Sequence, residues 1–306
     1  MVVMWSIRSI KKEGWNKLKK RLGGAILLTL VFFVIALVTQ LPNEFSGYLR
    51  SRSMEQISAM QASGTVTMEQ IRQVMGGMWS QTGWTLLSLL LIIFVLNPVI
   101  IGYFRWFLSN SHEAGTPRLS QLFYSFQTGI YKPILCGTLF KALWVTIWRI
   151  VAGLFYIPFY ISIVSAIISV ARNAGNFVYA NDPQKFLENF NYFLMGNIYE
   201  FMLPLMLYIL GAVGFCILML NRLYAYYFVE FILADNPTIG ARNAMKRSKQ
   251  MTYGIKKKLF LFELSYIGWW VLAILTLGLL SFGIIPYTMQ ARSELYLKRK
   301  AESRFF

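Results

Sequence analysis

The residues with chemistry in them are few, and most stand where charge is costly. Lys141 and Arg149 interrupt the apolar run that starts at Pro133, Glu200 opens the next run, and Glu263 lies inside the last one. An ionisable group at the bilayer centre costs roughly 3 kcal/mol or more unless it meets a partner, a water-filled cavity or the headgroups. Position along the runs pairs Lys141 with Glu263 in the inner half. It pairs Arg149 with Glu200 towards the outer side, with outward snorkelling as the other course for Arg149. Two chemistries fit such a set. One is a polar path for an ion or small solute. The other is ion pairs that fix helices against one another, which the set favours because it lacks the series of acids found in proton relays.

Enzyme templates are missing. His112, the single histidine, stands beside Glu113 in a polar loop with no second acid, base or metal ligand near it in sequence. No Walker A, GxGxxG after a strand, HExxH or GxSxG motif is present. Cys136 and Cys216 sit far apart in apolar runs, which argues against a disulfide framework or a zinc site. The sequence therefore predicts a protein that is not an enzyme, with no catalytic residue, cofactor or metal.

A second group of residues is basic. Arg242, Lys246, Arg247 and Lys249 are followed by Lys256, Lys257 and Lys258, which mark the entry to the last apolar run. Ahead of them, Asp235 or Asn236 suits a helix cap and Pro237 the first helical position. The spacing then predicts a helix with Ala241, Ala244, Met245, Ser248 and Met251 on one face. Arg242, Lys246, Lys249 and Gln250 share the other, and Gly254 ends the helix. A small-residue face packs on protein. The basic face is left for anionic lipid headgroups or a membrane-protein partner. Residues 4–22 predict another basic amphipathic helix, with Ile7, Ile10, Trp15, Leu18 and Leu22 on one face and Lys11 intruding. It suits the membrane interface, with Trp15 at headgroup level.

These segments need a membrane to position them. Of 306 residues, 56% are hydrophobic and 14% charged, against about a quarter charged in soluble domains. The net charge of +17 would suggest nucleic acid in a soluble chain, but here the cations flank apolar spans, which excludes that partner. The N-terminus has no small-x-small cleavage pattern and reads as an uncleaved first span. That span runs from about Ala25 to Leu41 and is ended by Pro42-Asn43. Thr67 caps a short helix over Met68 to Val74. The second span is about Trp84 to Phe104, kinked at Asn97-Pro98. The third apolar run, Pro133 to about Val170, is divided by Pro158 and crosses up to about Tyr156 before an interfacial or outer extension; the fourth span is Phe201 to Leu220, continuing as one helix through Tyr224 to Ala234. The last run is Leu259 to Met289, followed by a polar tail over 290–306.

The predicted fold is an all-α polytopic transmembrane helix bundle of five to six spans, with amphipathic interfacial helices on the cytoplasmic side. It forms a single membrane domain over 1–306: a basic N-terminal helix to residue 22, four spans over 23–220, and a C-terminal region over 221–306. Eighteen Lys/Arg fall in the N-terminus and alternate loops against five in the other two loops, which puts the N-terminus in the cytoplasm. A single crossing of the last run would leave the five tail cations outside; a hairpin near Thr276 to Gly283 would return them and make six helices, the arrangement that the charge bias favours.

The C-terminal region resembles a known family. Tyr227, Ile232-Leu233-Ala234-Asp235-Asn236-Pro237, Ala244, Ser248, Met251, Gly254, Leu259-Phe260, Leu264-Ser265-Tyr266-Ile267-Gly268-Trp269, Gly278 and Pro286-Tyr287 look like the C-terminal signature of the domain-of-unknown-function 975 family of bacterial integral membrane proteins. The Pro-Gly pair of that pattern is missing, and Gly211 to Gly214 stands in its region without a proline. The resemblance implies a multi-pass protein of the bacterial plasma membrane, distantly similar to the membrane part of some glycerophosphodiester phosphodiesterases but without their catalytic barrel. It implies no reaction. The role that fits best is a non-enzymatic protein binding lipid or a partner, with a small-solute or ion transporter component as the alternative.

Overall fold

The computed structural model describes residues 5–63, 67–112, 117–158 and 198–302, with a few positions between 160 and 168. The predicted polar segment from 171 onwards and Glu113 lie outside them. The described elements are helical, with no strand among them. Five helical segments are long and apolar enough to cross a membrane: Leu22–Met60, Met68–Ser111, Tyr131–Gly153, Leu205–Asp235 and Lys256–Leu275. Only 11% to 28% of their most apolar windows is buried in protein, so lipid is the solvent of the rest. The protein is an all-α polytopic membrane bundle. The chain forms two compact units, residues 1–141 with 226–306, and residues 142–225.

In the first unit, α1 (Ile7–Lys19) is capped by Ser6, whose side chain accepts from the Ser9 amide. Then α2 (Leu22–Ser63) and α3 (Met68–Leu91) form a long antiparallel hairpin. Thr67 caps α3 as predicted, in a reciprocal capping box with Gln70, but the helix it starts does not stop at Val74 and runs on unbroken into the second span. The first span does not end at Pro42. A membrane helix tolerates the N–H that proline lacks where neighbours supply the freed backbone. Here the Ser88 hydroxyl donates to the Thr39 carbonyl at 3.1 Å, within the turn that Pro42 disturbs. Thr39, Ser46 and Ser53 recur every seven residues and are buried. Ser46 donates to the Gln81 carbonyl at 3.0 Å, and a side chain on Gly77 would come within 2.8 Å of Ser53 Oγ. Small polar residues at this period let two backbones approach in a left-handed pair. The 42 residues of α2 measure about 63 Å at ~1.5 Å per residue, roughly twice the hydrocarbon thickness. The aromatic contacts of Phe45 with Tyr48 and Trp84 lie about 35 Å from Leu22 on the same rise, where a second headgroup layer would be.

Where the sequence predicts a kink at Asn97-Pro98, the helix has a π-helical turn over residues 92–96, after which α4 (Asn97–Ser111) continues. Pro98 leaves the Phe94 carbonyl without its usual donor. The Tyr131 hydroxyl supplies one at 3.0 Å. Helix α4 is the core of this unit, with Val99, Ile101, Tyr103, Trp106, Phe107 and Leu108 buried. A 3₁₀ segment, Leu119–Phe126, crosses it so closely that a Cβ on Gly102 would sit 2.0 Å from the Leu122 carbonyl oxygen. The first part of α5 (Tyr131–Gly153) completes this side of the unit.

The second unit holds the rest of α5 and α6 (Ile198–Ala225). Inside it Tyr156 packs on Tyr208 and Phe215, and the Arg222 guanidinium lies 3.5 Å from the Trp148 ring centre. The predicted continuation to Ala234 is broken: α6 ends at Ala225, residues 226–228 turn, and α7 is Val229–Asp235.

After α7, Pro237 starts a single 3₁₀ turn rather than a helix. Gly240 then enters α8 (Ala241–Thr252) at a φ of 83°, a conformation that glycine adopts without strain. Asp235 and Asn236 therefore do not cap α8. Gly254, at φ 75°, lies just past its end. Helices α9 (Lys256–Leu264) and α10 (Ile267–Leu275) follow, and the chain reverses. The Gly278 amide donates to the Ala273 carbonyl at 2.8 Å and that of Leu277 to Ile274 at 3.1 Å, the paired bonds of a helix stop. Then α11 (Ser281–Glu302) runs back along the unit. The last apolar run is thus a hairpin. The polar segment from Gln290 to Glu302 is helical, and Gln290, Ala291, Ser293, Leu295 and Tyr296 are buried.

The backbone clash at Gly102 gives a direct test. Gly102→Ala should lower unfolding stability in mild detergent by about 2 kcal/mol, the usual scale of overpacking. Gly23→Ala, with nothing near its added carbon, should leave it unchanged or slightly raised. Thermal unfolding followed by circular dichroism reads both.

Candidate functional site

The polar residues of the first unit gather in four clusters, three of which include residues of α11. The first joins α1, α4 and α11. The α1 stripe Ile10, Gly14 and Leu18 is buried, with Gly14 against the Ala291 backbone. The predicted amphipathic helix thus exists, but its apolar stripe packs on protein. Trp15 stays 44% exposed beside Tyr287. Around the stripe, Lys17 donates to the Ser111 carbonyl at 2.7 Å and to Glu294 at 3.2 Å, and Arg21 to Asn110 at 3.0 Å. Asn110 donates to Gln290 at 2.7 Å, and Gln290 donates to Ser111 and Glu294. Every member of this network is bonded, the condition under which buried polar groups specify one arrangement.

The second cluster is Glu263, Arg292 and Tyr227. Arg292 grips Glu263 with two parallel bonds, Nε to Oε1 at 2.9 Å and Nη2 to Oε2 at 2.6 Å. The Tyr227 hydroxyl donates to the same carboxylate. A planar fork on a carboxylate is the strongest form of this pairing. Beside it Lys11 stands 4.0 Å over the Tyr266 ring and donates to the Ser265 carbonyl at 2.9 Å. Partial burial lowers the Lys11 pKa below its ordinary value.

The third is the ion pair of Lys141 with Glu230. The fourth surrounds α7. The Phe228 amide ahead of α7 donates to Ser248 Oγ at 3.2 Å, Arg105 donates to the Ala234 carbonyl at 2.9 Å, and Asp235 accepts from Tyr296 and Lys300.

The expected pair of Lys141 with Glu263 does not form, because each has a nearer partner: Glu230 on α7 and Arg292 on α11. Glu230 stands on the short helix after the turn at 226–228, and the hairpin brings Arg292 to Glu263. Arg149 is exposed on α5, and the side chain of Glu200 lies outside the described residues. Sequence reasoning missed Arg292 because it follows the last apolar run. The hairpin geometry would have found it, since Glu263 and Arg292 stand at similar distances on either side of the turn at 276–280.

The basic residues are arranged as predicted. On α8, Ala244, Met245, Ser248 and Met251 are buried, while Arg242, Lys246 and Lys249 are exposed. Arg247 is half-buried at the edge of the helix. Lys257 is exposed, and Lys256 and Lys258 are half-buried at the start of α9; Lys258 donates to the Trp5 carbonyl. Arg299 on α11 ties down the end of α8, donating to the Met251 carbonyl at 3.0 and 2.8 Å. Among the described residues, no three of His, Cys, Asp or Glu converge to hold a metal ion.

The ion pairs predict a specific coupling. In a double-mutant cycle read by unfolding in detergent, Glu263→Gln and Arg292→Gln should be non-additive by more than about 1 kcal/mol. Glu263→Gln and Lys141→Gln should add within about 0.5 kcal/mol.

No curated protein and no solved structure matches the chain. The C-terminal signature read from the sequence is part of a longer likeness, and the membrane bundle agrees with the fold it implied. Matched over residues 4–303, nearly its whole length, the chain belongs to the family described as "Protein of unknown function (DUF975)".

Proposed function

We propose that this protein is a non-enzymatic membrane protein that holds anionic lipid headgroups on the cytoplasmic side of a bacterial plasma membrane, with its N-terminus in the cytoplasm. The observation that carries this reading is the division of α8. Its small-residue face is buried by the protein, while Arg242, Lys246 and Lys249 face outward, one turn of chain ahead of the lysine triplet where a span begins. A basic helix held at that depth attracts anionic headgroups by about 1 kcal/mol per cation. The excess of Lys/Arg on alternate loops supports the orientation. The pairing of Lys141 with Glu230 and of Glu263 with Arg292 supports binding over solute transport, since these charges are already neutralised.

The test is phospholipid retention by the purified protein, read by native mass spectrometry. Lys246→Glu, Arg247→Glu and Lys249→Glu together should lower retention of anionic phospholipids at least tenfold. Zwitterionic retention and the unfolding temperature should stay unchanged. Equal retention by the variant overturns the reading.

A further inference from the structure

The basic face is not uniform. A cleft of about 1120 Å³ opens between α8, the turn after it and the last turn of α11. Among the described residues, Lys246, Arg247, Lys249 and Arg299 line it, against a single carboxylate, Glu302. That carboxylate is already paired with Arg299, so the cleft keeps an excess of positive charge. Arg299 is also held by its two bonds to the Met251 carbonyl, which fixes its guanidinium plane before any ligand arrives. Those bonds and the one to Glu302 use three of its five N–H donors. Arg242, on the same helix, is outside the cleft.

Depth supplies the second constraint. The wall of the cleft includes Tyr253, Gly254 and Ile255, and the next residue, Lys256, begins the apolar span. The mouth therefore lies at the level of the headgroups. Tyr253 is 83% exposed there, as an aromatic ring at a membrane interface would be. The space exceeds what a lone phosphate fills and suits a phosphate with its glycerol.

We propose that this cleft seats one phospholipid by its phosphate, and that it prefers a terminal phosphomonoester, which carries up to two charges, to a singly charged phosphodiester. A phosphomonoester offers three oxygens to the cations that line the cleft, and the fixed Arg299 guanidinium keeps two of its five N–H donors for them. The proposal rests on the lipid-binding reading above and narrows it to one site and one headgroup chemistry.

The experiment places the full-length protein in nanodiscs and compares phosphatidate with phosphatidylserine at equal total anionic charge. Phosphatidate should be retained at least fivefold more strongly. Lys246→Gln should abolish that preference, and Arg242→Gln should keep it. Arg299→Gln serves as a second variant, scored only if its unfolding temperature matches the parent. Glycerol 3-phosphate is added as a soluble competitor. Displacement only at a large excess over lipid supports a lipid occupant, whereas displacement at equal concentration overturns it in favour of a soluble phosphate ester. Equal retention of the two lipids, or equal effects of Lys246→Gln and Arg242→Gln, overturns the seat while leaving the broader reading intact. No preference for anionic over zwitterionic lipid overturns both.

Discussion

Where a side chain on residue 14 would begin, the backbone of Ala291 already stands: an added carbon would lie 2.8 Å from its Cα. That approach brings α1 close enough to α11 for Lys17 to reach both Glu294 and the Ser111 carbonyl. It also sets the height at which α11 lies against α4, where Gln290 and Asn110 meet. Further along α11, the same placement puts Arg292 on Glu263, Lys300 on Asp235 and Arg299 on the end of α8. The basic helix is thus held by a chain of contacts that begins with a missing side chain. A longer residue at position 14 would push on all of them.

The charged pairs set position more than they add stability. Removing two charges from water offsets much of their attraction, so a buried pair is a modest net contributor. Its geometric demand is strict, however, and a bidentate fork on a carboxylate accepts little error in angle. Such pairs add to the specific contacts of glycines, small hydroxyls and buried aromatic rings elsewhere in the bundle. In lipid, apolar packing alone has little to distinguish one register from its neighbours.

Much of this was legible in the sequence where the signal is local. The Thr67 cap and the divided faces of α8 depend on residues within a turn or two, and the structure has both. Signals failed where the deciding partner is remote. Pro42 reads as a stop, but α3 supplies a hydroxyl beside it and the helix goes on. Gln290, Ser293 and Glu294 read as a polar tail, since nothing nearby says that Asn110, Ser111 and Lys17 will satisfy them. The site divided in the same way. The basic face was readable from its period, whereas the partners of Lys141 and Glu263 required knowing where the chain turns.

The docking of α1 on α11 also has a consequence in time. Lys17 and Glu294 are 277 residues apart in the chain. At a synthesis rate of about 5 to 20 residues per second, the first helix leaves the ribosome roughly 15 to 55 s before its partner does. For that interval α11 is not there to cover its stripe of Ile10, Gly14 and Leu18. The lipid surface is the natural place for a basic amphipathic helix to wait. The sequence suits the helix to that surface, whereas in the folded chain its stripe is docked against α11.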